Sequence, residues 1–120
     1  MNGVVDESQR ALVDVFIAAD IGVRPDPIRA WIDTAFNGSL VIPRPLIERL
    51  GLQQASTTQA ILADGHLADL ETFTCYVHWF GDIYRTQVVA NDGEFPLLGT
   101  TLLSNRRISI DYRLGFVELD

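Results

Sequence analysis

Apolar positions along this chain fall mostly into short runs separated by turn-forming residues, a pattern of strands rather than helices. Ala11 to Ala19 reads ALVDVFIAA, rich in β-branched and aromatic residues, and ends at Asp20-Ile21-Gly22. Arg24-Pro25-Asp26-Pro27 leads into a second strand, Ile28 to Ile32, and Asn37-Gly38 marks a tight turn before a short third strand, Leu40 to Ile42. Pro45 to Leu50 is the one obvious N-terminal helix, with Pro45 suited to its first turn and Gly51 to the position after its end. Beyond Thr57 the pattern predicts hairpins. Gln59 to Ala63 precedes an Asp64-Gly65 turn, Leu67 to Phe80 forms a long strand, Gly81-Asp82 turns it, and Ile83 to Ala90 returns to Asn91-Asp92-Gly93. A buried segment from Phe95 to Leu98 reaches Gly99, and a short helix follows from Thr100 to Asn105. Two strands, Arg107 to Tyr112 and Gly115 to Leu119, end the sequence. There is no internal repeat, linker or low-complexity tract. Residues 1–120 read as a single all-β domain with one or two short helices.

Composition narrows the possible partners. Among 120 residues, 48% are hydrophobic and 21% charged, the balance of an ordinary globular domain. Nine basic against 16 acidic residues give a net charge of −7, and all nine basic residues are arginine. Phosphate backbones need clustered Lys and Arg, so nucleic acid is not an expected partner, and neither is a membrane surface. The longest apolar stretch, Val15 to Ala19, lies between Asp14 and Asp20 and is far too short to span a bilayer. A single cysteine, Cys75, allows no internal disulfide and no paired-cysteine chemistry. With no basic, apolar leader at its start, the expected location is the cytoplasm.

One constellation carries chemistry. In Ile32-Asp33-Thr34-Ala35-Phe36-Asn37-Gly38 an Asp closes an apolar strand and is followed by small residues and a turn. Such an Asp sits at the edge of a buried sheet, with neighbours small enough for another backbone to approach; read locally, it also serves as a turn cap. Much later, Phe95-Pro96-Leu97-Leu98-Gly99-Thr100-Thr101-Leu102-Leu103 joins an apolar strand, a glycine and an apolar helix start.

Taken together and in this order, the two segments resemble the retropepsin-like aspartic proteases, in particular their single-lobed bacterial members. The matching residues are Asp33-Thr34-Ala35-Phe36-Asn37-Gly38, Leu40-Val41-Ile42-Pro43 and Leu97-Leu98-Gly99. An Asp64-Gly65 hairpin lies where that family has its substrate-covering flap. The resemblance runs from about Ala11 to the C-terminus and implies a closed or nearly closed barrel, one lobe of an aspartic protease. It implies an aspartic endopeptidase whose catalytic pair is one Asp33 from each subunit of a homodimer, acting on a peptide or protein substrate without a cofactor. It further implies loop support from Thr34, Ala35 and Gly99, and a substrate-binding flap at Ala63, Asp64 and Gly65. Ala35 departs from the family pattern, which has glycine there. A dimeric peptide-binding or regulatory module that has lost turnover through Ala35 is the alternative.

The other candidates carry less. Cys75 and His78 have a Cys-x-x-His spacing, but residues three apart on a strand face opposite ways, so no metal site is expected. No pattern selects a serine or cysteine nucleophile for His66 or His78. Tyr76, Trp79, Phe80 and Tyr84 straddle a hairpin and read as core and cross-strand pairs.

Overall fold

The structure is a computed structural model that describes residues 1–61 and 64–120. Ten strands form one sheet: β1 (Asn2–Val5), β2 (Ala11–Ala18), β3 (Asp26–Ile32), β4 (Leu40–Pro43), β5 (Gln53–Ile61), β6 (Leu67–Trp79), β7 (Asp82–Asn91), β8 (Leu97–Leu98), β9 (Ile108–Asp111) and β10 (Phe116–Leu119). Two short helices, α1 (Arg44–Leu50) and α2 (Thr100–Leu103), interrupt them.

Two strands close the sheet into a ring by dividing one edge between two partners. The β6 edge pairs with β5 as far as Thr74 and then with β2 at Tyr76–His78, while its other edge pairs with β7. The β2 edge opposite β3 likewise begins against β1 at Ala11 and Leu12 and ends against β6. The ring therefore runs β2–β6–β7–β4–β8–β3 and back to β2. The barrel expected from the motifs is present.

Burial follows from closure. β2 is buried at six of eight positions, so its run is nearly continuous rather than alternating. β3 alternates instead, sending Ile28, Ala30 and Ile32 inward. These residues join Val13, Val15, Ile17, Ile42, Val77 and Val88 in one buried cluster. Trp79 fastens α2 to it, donating its indole N–H to the Leu102 carbonyl over 3.0 Å. α1 has Pro45 in its first turn and ends at Gly51, whose φ of +69° is the left-handed form that glycine adopts without strain.

Several boundaries differ from expectation for visible reasons. β1 is short and partly polar, and it is held by backbone pairing with β10 and β2 rather than by an apolar face. β5 starts at Gln53, six residues before the predicted Gln59, because Gln53–Thr57 is exposed and has no apolar alternation to betray it. The β6–β7 turn is Phe80-Gly81 rather than Gly81-Asp82, since Trp79 pairs with Asp82. α2 stops at Leu103, two residues before the predicted end. Among the described residues no helix is long and apolar enough to cross a membrane.

Ile17 lies at the β2–β6 seam and is fully buried. Ile17→Ala should lower stability by about 2–5 kcal/mol, the cost of a large-to-small change in a closed core. Urea unfolding followed by circular dichroism measures it.

Candidate active site

Asp33 follows β3 directly, and its backbone continues the strand. Trp31 N–H donates to the Pro96 carbonyl (2.8 Å) and Asp33 N–H to the Leu98 carbonyl (2.9 Å), extending the parallel β3–β8 ladder. The side chain is half-buried, and its Oδ1 accepts the Ala35 N–H at 3.0 Å. The Asp33 carbonyl accepts the Phe36 N–H, which turns the chain back toward β4.

The return loop is held from below. Gly99 N–H donates to the Ser39 carbonyl (2.9 Å), Thr100 N–H to Phe36 (2.8 Å) and Thr101 N–H to Gly38 (3.2 Å). The Thr101 hydroxyl donates to the Asn37 carbonyl at 2.7 Å. The first amides of a helix lack partners within it, and here the loop carbonyls satisfy them. Gly99 is required for space, not for φ. A Cβ on Gly99 would collide with the Gly38 carbonyl oxygen and would lie 2.5 Å from the Phe36 ring.

Thr34 and Ala35 form the exposed crest of this loop. Among the described residues the Thr34 hydroxyl makes no hydrogen bond within its own chain. Among the described residues the non-glycine positions with positive φ are Gln9, Phe80 and Asn105, so Ala35 has a backbone that any L-residue adopts.

Sequence reasoning missed the aromatic flank of the site. Trp31 stands two residues before Asp33 and so projects from the same face of β3. It is 39% exposed and meets the Phe95 ring edge-on at 6.4 Å. The Arg10 guanidinium caps Phe95 at 3.9 Å and is tethered to Asp6 through a 2.7 Å ion pair. Asp6 Oδ1 also accepts the Arg10 and Ser8 amides. The Arg10 backbone bond leads, aided by its side chain, in holding the Asp6 carboxyl below the ordinary 3.8. Only the spacing of Trp31 from Asp33 on one strand was available to reveal this group in the sequence.

The residues expected to form a flap fall on the β5–β6 hairpin. Its outer half pairs Thr57–Ile61 with Leu67–Glu71, beyond the reach of β7, so it projects as a two-stranded ribbon. Asp64 accepts the His66 amide (3.0 Å) and pairs with its ring (2.8 Å), and Gly65 takes φ +88° in the turn. The His66 side-chain bond is the main cause of a lowered Asp64 pKa. Ala63 lies outside the described residues. At the ribbon's root Arg44 bridges Glu71 (3.0 Å) and Asp92 (3.2 Å).

Cys75 and His78 do not come together: Cys75 is fully buried, and burial pushes its thiol up to about 12, whereas His78 lies on the other face. Trp79 is core, and Tyr84, 45% exposed, stands opposite Val77 across β6 and β7.

No protein-family model matches the chain. No curated protein sequence matches it either. Solved structures do. The EIAV protease complexed with the inhibitor HBY-793 superimposes with a TM-score of 0.59 at 19% identity, covering 83% of this chain and 90% of that one. The retroviral protease-like domain of Ddi1 from Leishmania major gives 0.50 at 13% identity, covering 91% and 88%. The fold is that of the retropepsin-like aspartic proteases.

Two sets of substitutions test this construction. Gly99→Ala should destabilise by roughly 3 kcal/mol, the upper end for overpacking, because backbone rather than a side-chain tip meets the new methyl. Ala35→Gly should cost only about 0.5–1 kcal/mol, through the entropy of the unfolded chain. Thermal denaturation separates the two. Because the folded Asp6 carboxyl has a lowered pKa, its stabilising contribution is present above 3.8 and is lost as pH falls through the folded value. Asp6→Asn should therefore lower stability at pH 6 and converge with wild type in strong acid. Parallel curves over the whole range contradict the Arg10 tether.

Proposed function

We propose that the protein is an aspartic endopeptidase active as a homodimer, with Asp33 from each subunit forming the catalytic pair. One observation carries the proposal: the Asp33 carboxylate ends a core strand on a loop whose crest is exposed and whose underside is fixed by Gly99 and α2. A single loop supplies one carboxylate, and the chemistry needs two. Two-fold symmetry places the same loop opposite itself.

Two carboxylates brought into contact share one proton and titrate as a pair. The ionised member accepts a proton from water as the water oxygen attacks the scissile carbonyl carbon. The protonated member hydrogen-bonds the carbonyl oxygen and protonates it as the tetrahedral intermediate forms. Collapse of that intermediate expels the amine, which takes its proton from the pair. In the dimer the unpaired Thr34 hydroxyl reaches the partner's loop. The substrate lies extended under the two ribbons and pairs with strand edges. Trp31 and Phe95 supply an apolar wall beside the scissile bond. The unstrained backbone at Ala35 supports an active enzyme over a binding module. A lone buried thiol fits the reducing cytoplasm.

Asp33→Asn keeps the shape of the side chain and removes its titration. Cleavage of a denatured protein should fall by several orders of magnitude, with the melting temperature little changed. Asp64→Asn and Asp92→Asn should retain activity. Sedimentation at micromolar concentration should show a dimer, and an Asp33→Asn variant as fast as wild type would sink the assignment.

A further inference from the structure

The ring closes where β6 passes one edge from β5 to β2, and this change of partner leaves a notch on the outer face of the barrel. Pairing with β5 ends at Gln53 with Thr74, and pairing with β2 ends at Ala18 with Tyr76. The chain leaves β2 through Asp20 and enters β5 from Gly51, and a cavity of about 260 Å³ opens between them. That is below the range of drug-sized ligand sites and suits a molecule of amino-acid size. Asp20, Gln53, Thr74, Tyr76 and Arg85 line it. Cys75 and Val77 are fully buried in the core, so Thr74 and Tyr76 face outward. Arg85 stands opposite Tyr76 on β7 and shares that outer face.

These polar groups converge without satisfying one another. Among the described residues the side chains of Gln53, Thr74, Tyr76 and Arg85 make no hydrogen bond. Neither Asp20 nor Arg85 belongs to an ion pair among them. Asp20 is held in place by its own turn. Its Oδ1 accepts the Ile21 amide at 2.7 Å and its carbonyl accepts the Val23 amide at 3.3 Å, while its other carboxylate oxygen has no protein partner among the described residues. The Arg85 guanidinium comes from the far side of β6, because β6 stands between β2 and β7. Opposite charges therefore look onto one cavity without touching. A lone anion there is repelled by Asp20 and a lone cation by Arg85. A ligand that carries both charges a few ångströms apart satisfies both.

We propose that this notch binds a free α-amino acid, with its ammonium group on Asp20 and its carboxylate on Arg85. The planar guanidinium takes a carboxylate through two parallel, charge-assisted hydrogen bonds. The Thr74 and Tyr76 hydroxyls and the Gln53 amide supply neutral hydrogen bonds to the remaining polar atoms. Asp20 follows β2 and Gln53 begins β5, so a bound ligand ties both to β6 and braces the seam that closes the ring. The notch shares no residue with the Asp33 loop, and the proposal stands whether or not Asp33 is catalytic.

Titration of the protein with L-leucine and with L-glutamine, followed by calorimetry and amide chemical shifts, tests it. Saturable binding of at least one at millimolar concentration is expected, with shifts at Asp20, Gln53, Tyr76 and Arg85. The melting temperature should rise as the ligand saturates. The amide of the same amino acid lacks the carboxylate and its N-acetyl form lacks the ammonium group, so each should bind about tenfold more weakly. Arg85→Gln and Asp20→Asn alter exposed side chains and should leave the melting temperature of the free protein unchanged. Each should nevertheless weaken the apparent Kd by about tenfold. No saturable binding of either amino acid, equal binding of the amide or the N-acetyl form, or an unchanged Kd in either variant overturns the proposal.

Discussion

The contact between Gly99 with the start of α2 and the return loop after Asp33 is the constraint on which the rest of the site depends. Four hydrogen bonds, from the amides of Gly99, Thr100 and Thr101 and from the Thr101 hydroxyl, fall on the consecutive carbonyls of residues 36–39. At about 0.5–1.5 kcal/mol each, they outweigh the ordering of a short exposed loop only because both sides are already anchored. β8 supplies that anchoring. Lying between β3 and β4, it delivers Gly99 beneath the loop and receives the Asp33 amide. The missing side chain at Gly99 lets the two backbones touch.

The closed ring and the open ribbon divide the labour of the fold. Strands β2, β3, β4, β6, β7 and β8 are paired on both edges, so the loop they carry has little freedom. The outer half of the β5–β6 hairpin is paired only within itself, and its exposed residues bury little apolar surface. Elements with few buried contacts open at low free energy. Arg44 marks the boundary, tying Glu71 at the ribbon's root to Asp92 on the barrel.

Much of this was legible in the sequence where local chemistry and tertiary context agree. Pro45 and Gly51 bracket α1 because each suits one helix end, and Ile28, Ala30 and Ile32 alternate because one face of β3 is buried. Asp33 and Gly99 were found through the order of their motifs, not through local signals, since an Asp before a turn and a glycine after a strand are both commonplace. β1 and the first half of β5 escaped because backbone pairing, which leaves no mark on residue type, holds them. The Arg10–Phe95–Trp31 group escaped for another reason: Arg10 and Phe95 lie far apart in the chain and meet only once β3 and β8 pair.

The central claim is that each catalytic centre takes one Asp33 from each of two chains, and mixing subunits tests it most directly. A fixed amount of wild type is equilibrated with a threefold excess of Asp33→Asn chains, and cleavage of a denatured protein is followed. If the site is shared, random pairing leaves about a quarter of the wild-type chains in fully wild-type dimers, and activity falls to roughly that fraction. Activity that stays at its starting value while subunit exchange is confirmed by mass would contradict the account.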